Sequence, residues 1–390
     1  LGLAEMMDYV SVIHQAPEAV QKILCSQAHH KKIDGHAPGL SGLALNAYIA
    51  AGVYSDHECF TFENALEKLQ KGQFIMIREG TAAKNLKALL PLMNQQYYSR
   101  LMFATDDKHP SDLLHGGHID YIVKSAISLG VDPIIAMKVA SHNAARYFLM
   151  NNKGAIAPGY LADFVIFDNF RNFEIQTVIK KGKVVAQGGK ALDFPNPEVP
   201  FTLEAAARDT FHLPDITPDQ LRCHRPLGRL GLIPGELVTR NLGVAAQADP
   251  SQDILKICVA ERHHSTGHLG MGYLTGYGLK KGAVATSIAH DSHNIIAVGA
   301  ADADLALAIN HVKAMGGGIA VVADGQLMAD LPLPIAGLIS DQPLEKVNDR
   351  LENAKEKARA LGVSPGVDPF MTLSFMSLTV IPSLRVTTRG

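Results

Sequence analysis

Lys31-Lys32-Ile33-Asp34-Gly35-His36 is a short strand-like run that ends in an imidazole, and Ser55-Asp56-His57-Glu58 closes the next such run in the same way. Downstream, Leu101-Met102-Phe103-Ala104-Thr105-Asp106-Asp107 ends in two acids; upstream, Leu1-Gly2-Leu3-Ala4 leads into Glu5. Carboxylates and imidazoles at the ends of successive strands are how a parallel barrel holds catalytic divalent metals. Glu5, His36, His57 and one of the Asp106–Asp107 pair are the candidate ligands.

Around these runs, strands and helical stretches alternate from Leu1 to about Met150. The expected strands are Leu3–Met7, Lys32–Gly35, the run into His57, Phe74–Ile77 and Leu101–Thr105. Helices are expected at Pro17–Ser26, which has Pro at an early position, at Leu43–Ala51 and at Thr61–Lys71. Phe62, Ala65, Leu66 and Leu69 share one face of the last of these. A long helix is expected over Asp132–Met150. Five strands in this alternation predict an α/β fold, the second half of a metal-dependent (β/α)8 barrel. An open doubly wound sheet is the competing arrangement, and it converges ligands from so many strands less readily. The sequence opens at Leu1, not Met, inside a strand, so its start is expected to be missing.

Three domains and a connector are expected: the half-barrel over 1–153, a small β-domain over 154–190, a connector rich in Pro and polar residues over 191–236, and an α+β domain over 237–390. In the β-domain, Phe164–Phe167 and Thr177–Val185 are β-rich, with a turn at Lys181-Gly182-Lys183. In the last domain, strands are expected at Ile254–Ala260, Ala283–Ser287, Ile295–Gly299 and Ile319–Asp324. Helices are expected at Asp302–Met315 and Leu344–Leu361.

The 390 residues are 47% apolar and 19% charged, ordinary for a globular chain with a sizeable core. The formal net charge of -2 gives no electrostatic reason to expect nucleic acid or an anionic membrane as partner. No apolar run is long enough to span a bilayer. Cys25, Cys59, Cys223 and Cys258 form no CxxC pair and read as reduced thiols of a cytoplasmic protein. Gly272, Gly276 and Gly278, and the run Gly316-Gly317-Gly318, have neither a Walker A sequence nor a dinucleotide-binding context. The second run reads as a helix C-cap. The absence of GxSxG disfavours an α/β-hydrolase.

Neutral imidazoles suit a divalent metal. An acid after a buried strand is often a helix N-cap, so one of Asp106 and Asp107 could serve that way. The other could bind metal and take a proton from water. Glu5, with two oxygens, could bridge two ions. Arg78 and Glu79 could hydrogen-bond a polar heterocycle, or pair with each other at the barrel rim. His290-Asp291-Ser292-His293-Asn294 could hold a second metal, act as a lid, or be a hydrogen-bonded turn. Glu261-Arg262-His263-His264 reads as a solvated loop.

Taken together, Leu3-Ala4-Glu5-Met6-Met7-Asp8-Tyr9, Asp34-Gly35-His36-Ala37-Pro38-Gly39, Leu45-Asn46-Ala47-Tyr48-Ile49-Ala50-Ala51-Gly52, His57-Glu58, Ile77-Arg78-Glu79-Gly80-Thr81-Ala82 and Thr105-Asp106-Asp107 resemble the bacterial adenine deaminases of the amidohydrolase superfamily. Gly282-Ala283-Val284-Ala285-Thr286, His290–Asn294 and Leu331-Pro332-Leu333-Pro334-Ile335-Ala336-Gly337-Leu338 resemble that family's C-terminal domain. The resemblance covers nearly the whole chain in order. It implies hydrolysis of adenine to hypoxanthine and ammonia by metal-activated water, in purine salvage. It makes Glu5 the bridging carboxylate, His36 and His57 ligands, and Asp106 a metal-binding general base. Arg78, Glu79, His290 and His293 become candidate substrate-binding residues. The implied metal is Mn2+, with Fe2+ or Zn2+ as alternatives, in a binuclear site; a homodimer is expected. The family's His-x-His pair on the first barrel strand has no counterpart in this sequence. The alternatives are another cyclic amidohydrolase, dihydroorotase- or imidase-like, which usually has a bridging lysine where Glu5 stands, and a catalytically incomplete fragment.

Overall fold

The computed structural model describes residues 2–81, 83–192, 201–233, 238–381 and 383–390, with Phe201 described by its backbone only. The chain divides into two compact units, Leu1–Asn196 and Pro197–Gly390.

In the first unit, five short strands occur in chain order: β1 Gly2–Met6, β2 Lys32–Gly35, β3 Ser55–Asp56, β4 Phe74–Arg78 and β5 Leu101–Ala104. β1 pairs with β2, β3 with β4 and β4 with β5, all parallel. Between β2 and β3 the contacts advance in step. Tyr54 N–H donates to the Ile33 carbonyl (3.0 Å), Ser55 Oγ to Asp34 Oδ1 (2.8 Å) and Ala37 N–H to Asp56 Oδ2 (3.1 Å). β3 therefore runs the same way as β2, and all five strand ends lie at one edge.

Helices Pro17–Ala28, Gly42–Ala50 and Phe62–Gln70 connect successive strands. The last starts where Thr61 Oγ1 accepts the Asn64 N–H (3.3 Å) and stops at Gly72, whose φ of 100° a helix cannot continue. Its apolar face buries Ala65 and Leu69 against Ile75 and Ile77 of β4 and Leu101 and Phe103 of β5. Each fully buried Ile or Leu contributes about 1.5–3 kcal/mol. Because a strand has a period of two, Phe74, Met76 and Arg78 take the opposite face of β4.

The helix expected over Asp132–Met150 is interrupted. Asp132 Oδ1 caps it by accepting the Ile134 N–H (2.7 Å), and α-helix runs over Pro133–Met137 and Asn143–Tyr147 with a π-turn at Lys138–His142 between. Buried Asn143 donates from Nδ2 to the Tyr98 and Leu101 carbonyls (2.6 and 2.8 Å) and docks the helix under β5. Two further helices, Pro110–Gly116 and Ile119–Ser128, lie outside the expected elements.

Strands β6 Phe164–Phe167, β7 Ile175–Lys180, β8 Lys183–Gln187 and β9 Lys190–Ala191 form an antiparallel meander. Its hairpin turns on Lys181-Gly182, both at positive φ (49° and 77°), as a two-residue primed turn requires. Of the stretch expected to be a connector, 193–200 and 234–236 lie outside the described residues. The described part contains a helix, Phe201–Arg208, and strand β10, Leu227–Leu232.

The second unit is built on one eight-stranded sheet in the order β11-β10-β13-β12-β15-β14-β16-β17. The further strands are β11 Thr239–Ala245, β12 Leu255–Ala260, β13 Leu269–Thr275, β14 Ala283–Thr286, β15 Ile295–Gly299, β16 Gly318–Ala323 and β17 Gln326–Pro332. Only the β10–β13 pair is parallel. Helices Asp302–Ala314 and Leu344–Ala360 stand where expected. Gly316 N–H and Gly317 N–H bond back to the Lys313 and Val312 carbonyls, closing the first of them (3.0 and 2.9 Å).

At Gly35 a Cβ would lie 2.4 Å from the Ser55 carbonyl oxygen and 2.6 Å from Val53 Cγ1. Gly35→Ala is expected to push β2 off β3 and lower stability by about 1–3 kcal/mol. Urea denaturation checks this; an unchanged midpoint would mean the two strands are not packed this closely.

Candidate metal centre

Glu5 sits one residue before Met6, which pairs with Gly35, so β1 delivers a carboxylate beside the strand end that carries His36. Tyr48, fully buried, fixes this juxtaposition: its hydroxyl donates to the Met6 carbonyl (2.6 Å) and accepts the His36 N–H (3.1 Å). β3 ends one residue before His57. Glu5 Oε2 lies 2.8 Å from His57 Nε2, and Glu5 Oε1 lies 3.4 Å from His36 Nδ1. The two imidazole rings meet edge to face, 5.4 Å apart.

Glu58, which follows His57, joins the cluster. Its Oε1 stands 3.6 Å from His57 Nε2 and 3.8 Å from His36 Nδ1. Buried Arg78, at the end of β4, donates to Glu58 and to Asp106 Oδ2, the latter at 2.6 Å. Asp106 follows β5 in the left-handed region, at φ 55°, which Asp tolerates better than most residues.

Burial by itself would raise the Glu5 carboxyl, but the two imidazoles outweigh it and hold the group down to about 2. Burial would likewise depress His57. The bond to Glu5 and the charges of Glu5, Glu58 and Asp106 instead lift it to about 8. Cys59, two residues on, is pushed up to about 12 by burial and is an inert packed thiol.

The donors fit a divalent cation. Ligands that share one ion at roughly 2.0–2.2 Å stand ~3–4 Å from one another; Glu5 keeps that separation from His36 (3.4 Å) and lies in hydrogen-bond contact with His57 (2.8 Å). Buried His36 Nδ1 has no partner in hydrogen-bonding geometry. The cluster gathers three carboxylates, and its one guanidinium, Arg78, pairs with Glu58 and Asp106, which leaves the Glu5 carboxylate to the histidines and a metal. Among the described residues, Glu5, His36 and His57 are the one group of three or more such side chains whose ligand atoms lie within 4.8 Å of one another.

Asp106 is tied to this triad through Arg78 and Glu58. Arg78 and Glu79 do not pair with each other: Arg78 bonds Glu58 and Asp106, and Glu79 Oε2 accepts the Leu86 N–H (3.1 Å) at the start of a helical turn. Glu58 went unread as a site residue; the signal was its place directly after a ligand. His290 and His293 belong to the second unit. The His290 ring stacks on Phe375 (4.8 Å), and His293 Nδ1 accepts the Ala289 N–H (3.3 Å). Arg262, expected in a solvated loop, is instead buried and donates to the Thr210, His293 and Ala336 carbonyls. Its neighbour Glu261 accepts the N–H groups of His263, His264 and Thr266. These two clusters form hydrogen-bonded turns.

Residues 3–185 match the amidohydrolase family, and residues 236–390 match the adenine deaminase C-terminal domain. The whole chain aligns with adenine deaminase 2 of Carboxydothermus hydrogenoformans at 46% identity and with adenine deaminase of Dehalococcoides mccartyi at 47%, spanning 69% of each of those proteins. The chain belongs to the adenine deaminase family. Adenine deaminase of Bacillus pumilus is 42% identical over the same span. Membership gives the first unit the amidohydrolase α/β fold and agrees with a metal-binding triad at its strand ends. Among the described residues, no helix is long and apolar enough to cross a membrane.

The raised His57 and lowered Glu5 set a pH window for the metal-free chain. The His57 contribution is complete below its unfolded value of about 6.5 and is lost as pH rises through about 8. That of Glu5 is complete above about 4.5 and is lost as pH falls toward about 2. With chelator present, stability is expected to decline from pH 6.5 to pH 9 by about 2 kcal/mol. His57→Gln should flatten that decline; parallel declines in both proteins would assign it to another group.

Proposed function

We propose that the chain hydrolyses adenine to hypoxanthine and ammonia at the Glu5–His36–His57 centre. The observation that carries this reading is the triad at three successive strand ends, in a chain 46% identical over its whole length to a protein named adenine deaminase 2. Its setting is a (β/α)8 barrel, and its role is purine salvage in the cytoplasm by a homodimer. Family membership is the support for these finer points. The match to the adenine deaminase C-terminal domain favours this substrate over those of other cyclic amidohydrolases.

Glu5, His36 and His57 would hold the metal, Mn2+ by family resemblance, with Glu5 offering an oxygen to each side. A divalent ion supplies Lewis acidity and lowers the pKa of water from 15.7 toward neutrality. The protein's part is proton handling and orientation. Water adds at C6 of the purine, and the C6–N bond to the amino group breaks. Asp106 is the base: its carboxylate takes one proton from water as the oxygen adds and delivers it to N1, then carries the second from the new C6 hydroxyl to the departing nitrogen, which leaves as ammonia. Arg78 orients Asp106 by holding Oδ2. Glu58 completes that bridge. Arg78 and Glu79 at the β4 end, and His290 and His293 of the second unit, are the candidates for holding the base.

The full chain loaded with Mn2+ is expected to release ammonia and hypoxanthine from adenine in equal amounts. His36→Ala or His57→Ala should cost more than the roughly 10–100-fold lost with an outer partner of a metal ligand, and Asp106→Asn should lower kcat with metal content retained. Normal turnover in the histidine variants would refute the site; no ammonia from adenine under metal-loaded conditions would refute the substrate.

A further inference from the structure

Lys68 is a lysine with no exposed surface, on the helix after β3. A buried ammonium is costly unless fully paired, and this one is paired in an informative way. Its Nζ donates to the Ala37 carbonyl (2.7 Å) and to Asp56 Oδ2 (2.8 Å). Ala37 follows His36, and Asp56 precedes His57. Asp56, also without exposed surface, in turn accepts the Ala37 N–H on Oδ2 (3.1 Å) and the Glu58 N–H on Oδ1 (2.6 Å). One ion pair therefore grips the peptide that follows each candidate histidine ligand.

The same helix binds the rest of the loop after His36. Asn64 Nδ2 donates to the Leu40 carbonyl (3.2 Å), Glu67 Oε1 accepts the Gly42 N–H (2.9 Å), and Lys71 Nζ donates to the Gly42 carbonyl (2.8 Å). Stability alone does not account for Lys68, because apolar residues of similar volume in place of a buried ion pair are often neutral or stabilising. What an apolar pair cannot do is hold the Ala37 and Glu58 N–H groups.

We propose that Lys68 and Asp56 act as positioning residues for the metal centre, setting the spacing of His36 and His57 through the loops they join. This rests on the metal-binding reading of Glu5, His36 and His57. Fixing ligand orientation from outside the ligand set is worth about 10–100-fold in metal affinity.

The test is calorimetric titration of the full chain with Mn2+, beside urea denaturation of the metal-free protein. The double variant Lys68→Met/Asp56→Leu is expected to keep near-normal folding while binding Mn2+ about 10–100-fold more weakly. A folded double variant with the wild-type Kd overturns the proposal. Should that variant fail to fold, Lys68→Arg decides. It keeps the charge, but its planar fork cannot reproduce both bonds, so a weakened Kd is expected and a wild-type Kd overturns the proposal. A wild-type chain that takes up no Mn2+ overturns the metal reading itself, and the role of Lys68 with it.

Discussion

Parallel pairing in chain order is the constraint on which the first unit depends. Met6 stands opposite Gly35, Asp56 opposite Ile75 and Arg78 opposite Ala104. With register so set, each strand hands its next residues to the same edge. Glu5, His36, His57, Arg78 and Asp106 come from five strands, yet their side chains gather in one cluster, with Glu58 between the two histidines and Arg78. A one-residue slip of β2 would turn His36 toward the helices and Ile33 toward the open face. The close packing at Gly35 and the Tyr48 hydroxyl's bonds to Met6 and His36 resist that slip.

The cluster is electrostatically unfinished without a cation. Glu5 ionises readily because two imidazoles flank it, and His57 holds its proton because carboxylates surround it. Protons and a divalent metal therefore compete for the same lone pairs. Arg78 offsets part of the negative charge at the Glu58–Asp106 side, which leaves the Glu5 side for metal. The division separates the groups that would hold the ion from the carboxylate that would move a proton.

Much of the first unit was legible in the sequence. Strand ends carry their chemistry in residue type, so Glu5, His36 and His57 stood out, and apolar runs located β1 to β5 to within a residue or two. Other features were hidden for physical reasons. Lys68 reads as solvated by type, although it follows Ala65 by three positions on the buried face of its helix. β13 lies outside the expected strands; it carries Gly270 and Gly272, and a Cβ at Gly270 would fall 1.7 Å from the Thr387 carbonyl oxygen. Contacts made from far along the chain leave no local trace. The π-turn at Lys138–His142 is likewise a tertiary adjustment that a helical period does not encode.

The central claim is that one cation is shared by Glu5, His36 and His57. X-ray absorption at the manganese edge of the Mn2+-loaded chain tests it most directly. The account predicts two imidazole nitrogens among the ligands, with one lost in each of His36→Ala and His57→Ala. A spectrum with oxygen ligands alone, unchanged by either substitution, would contradict it.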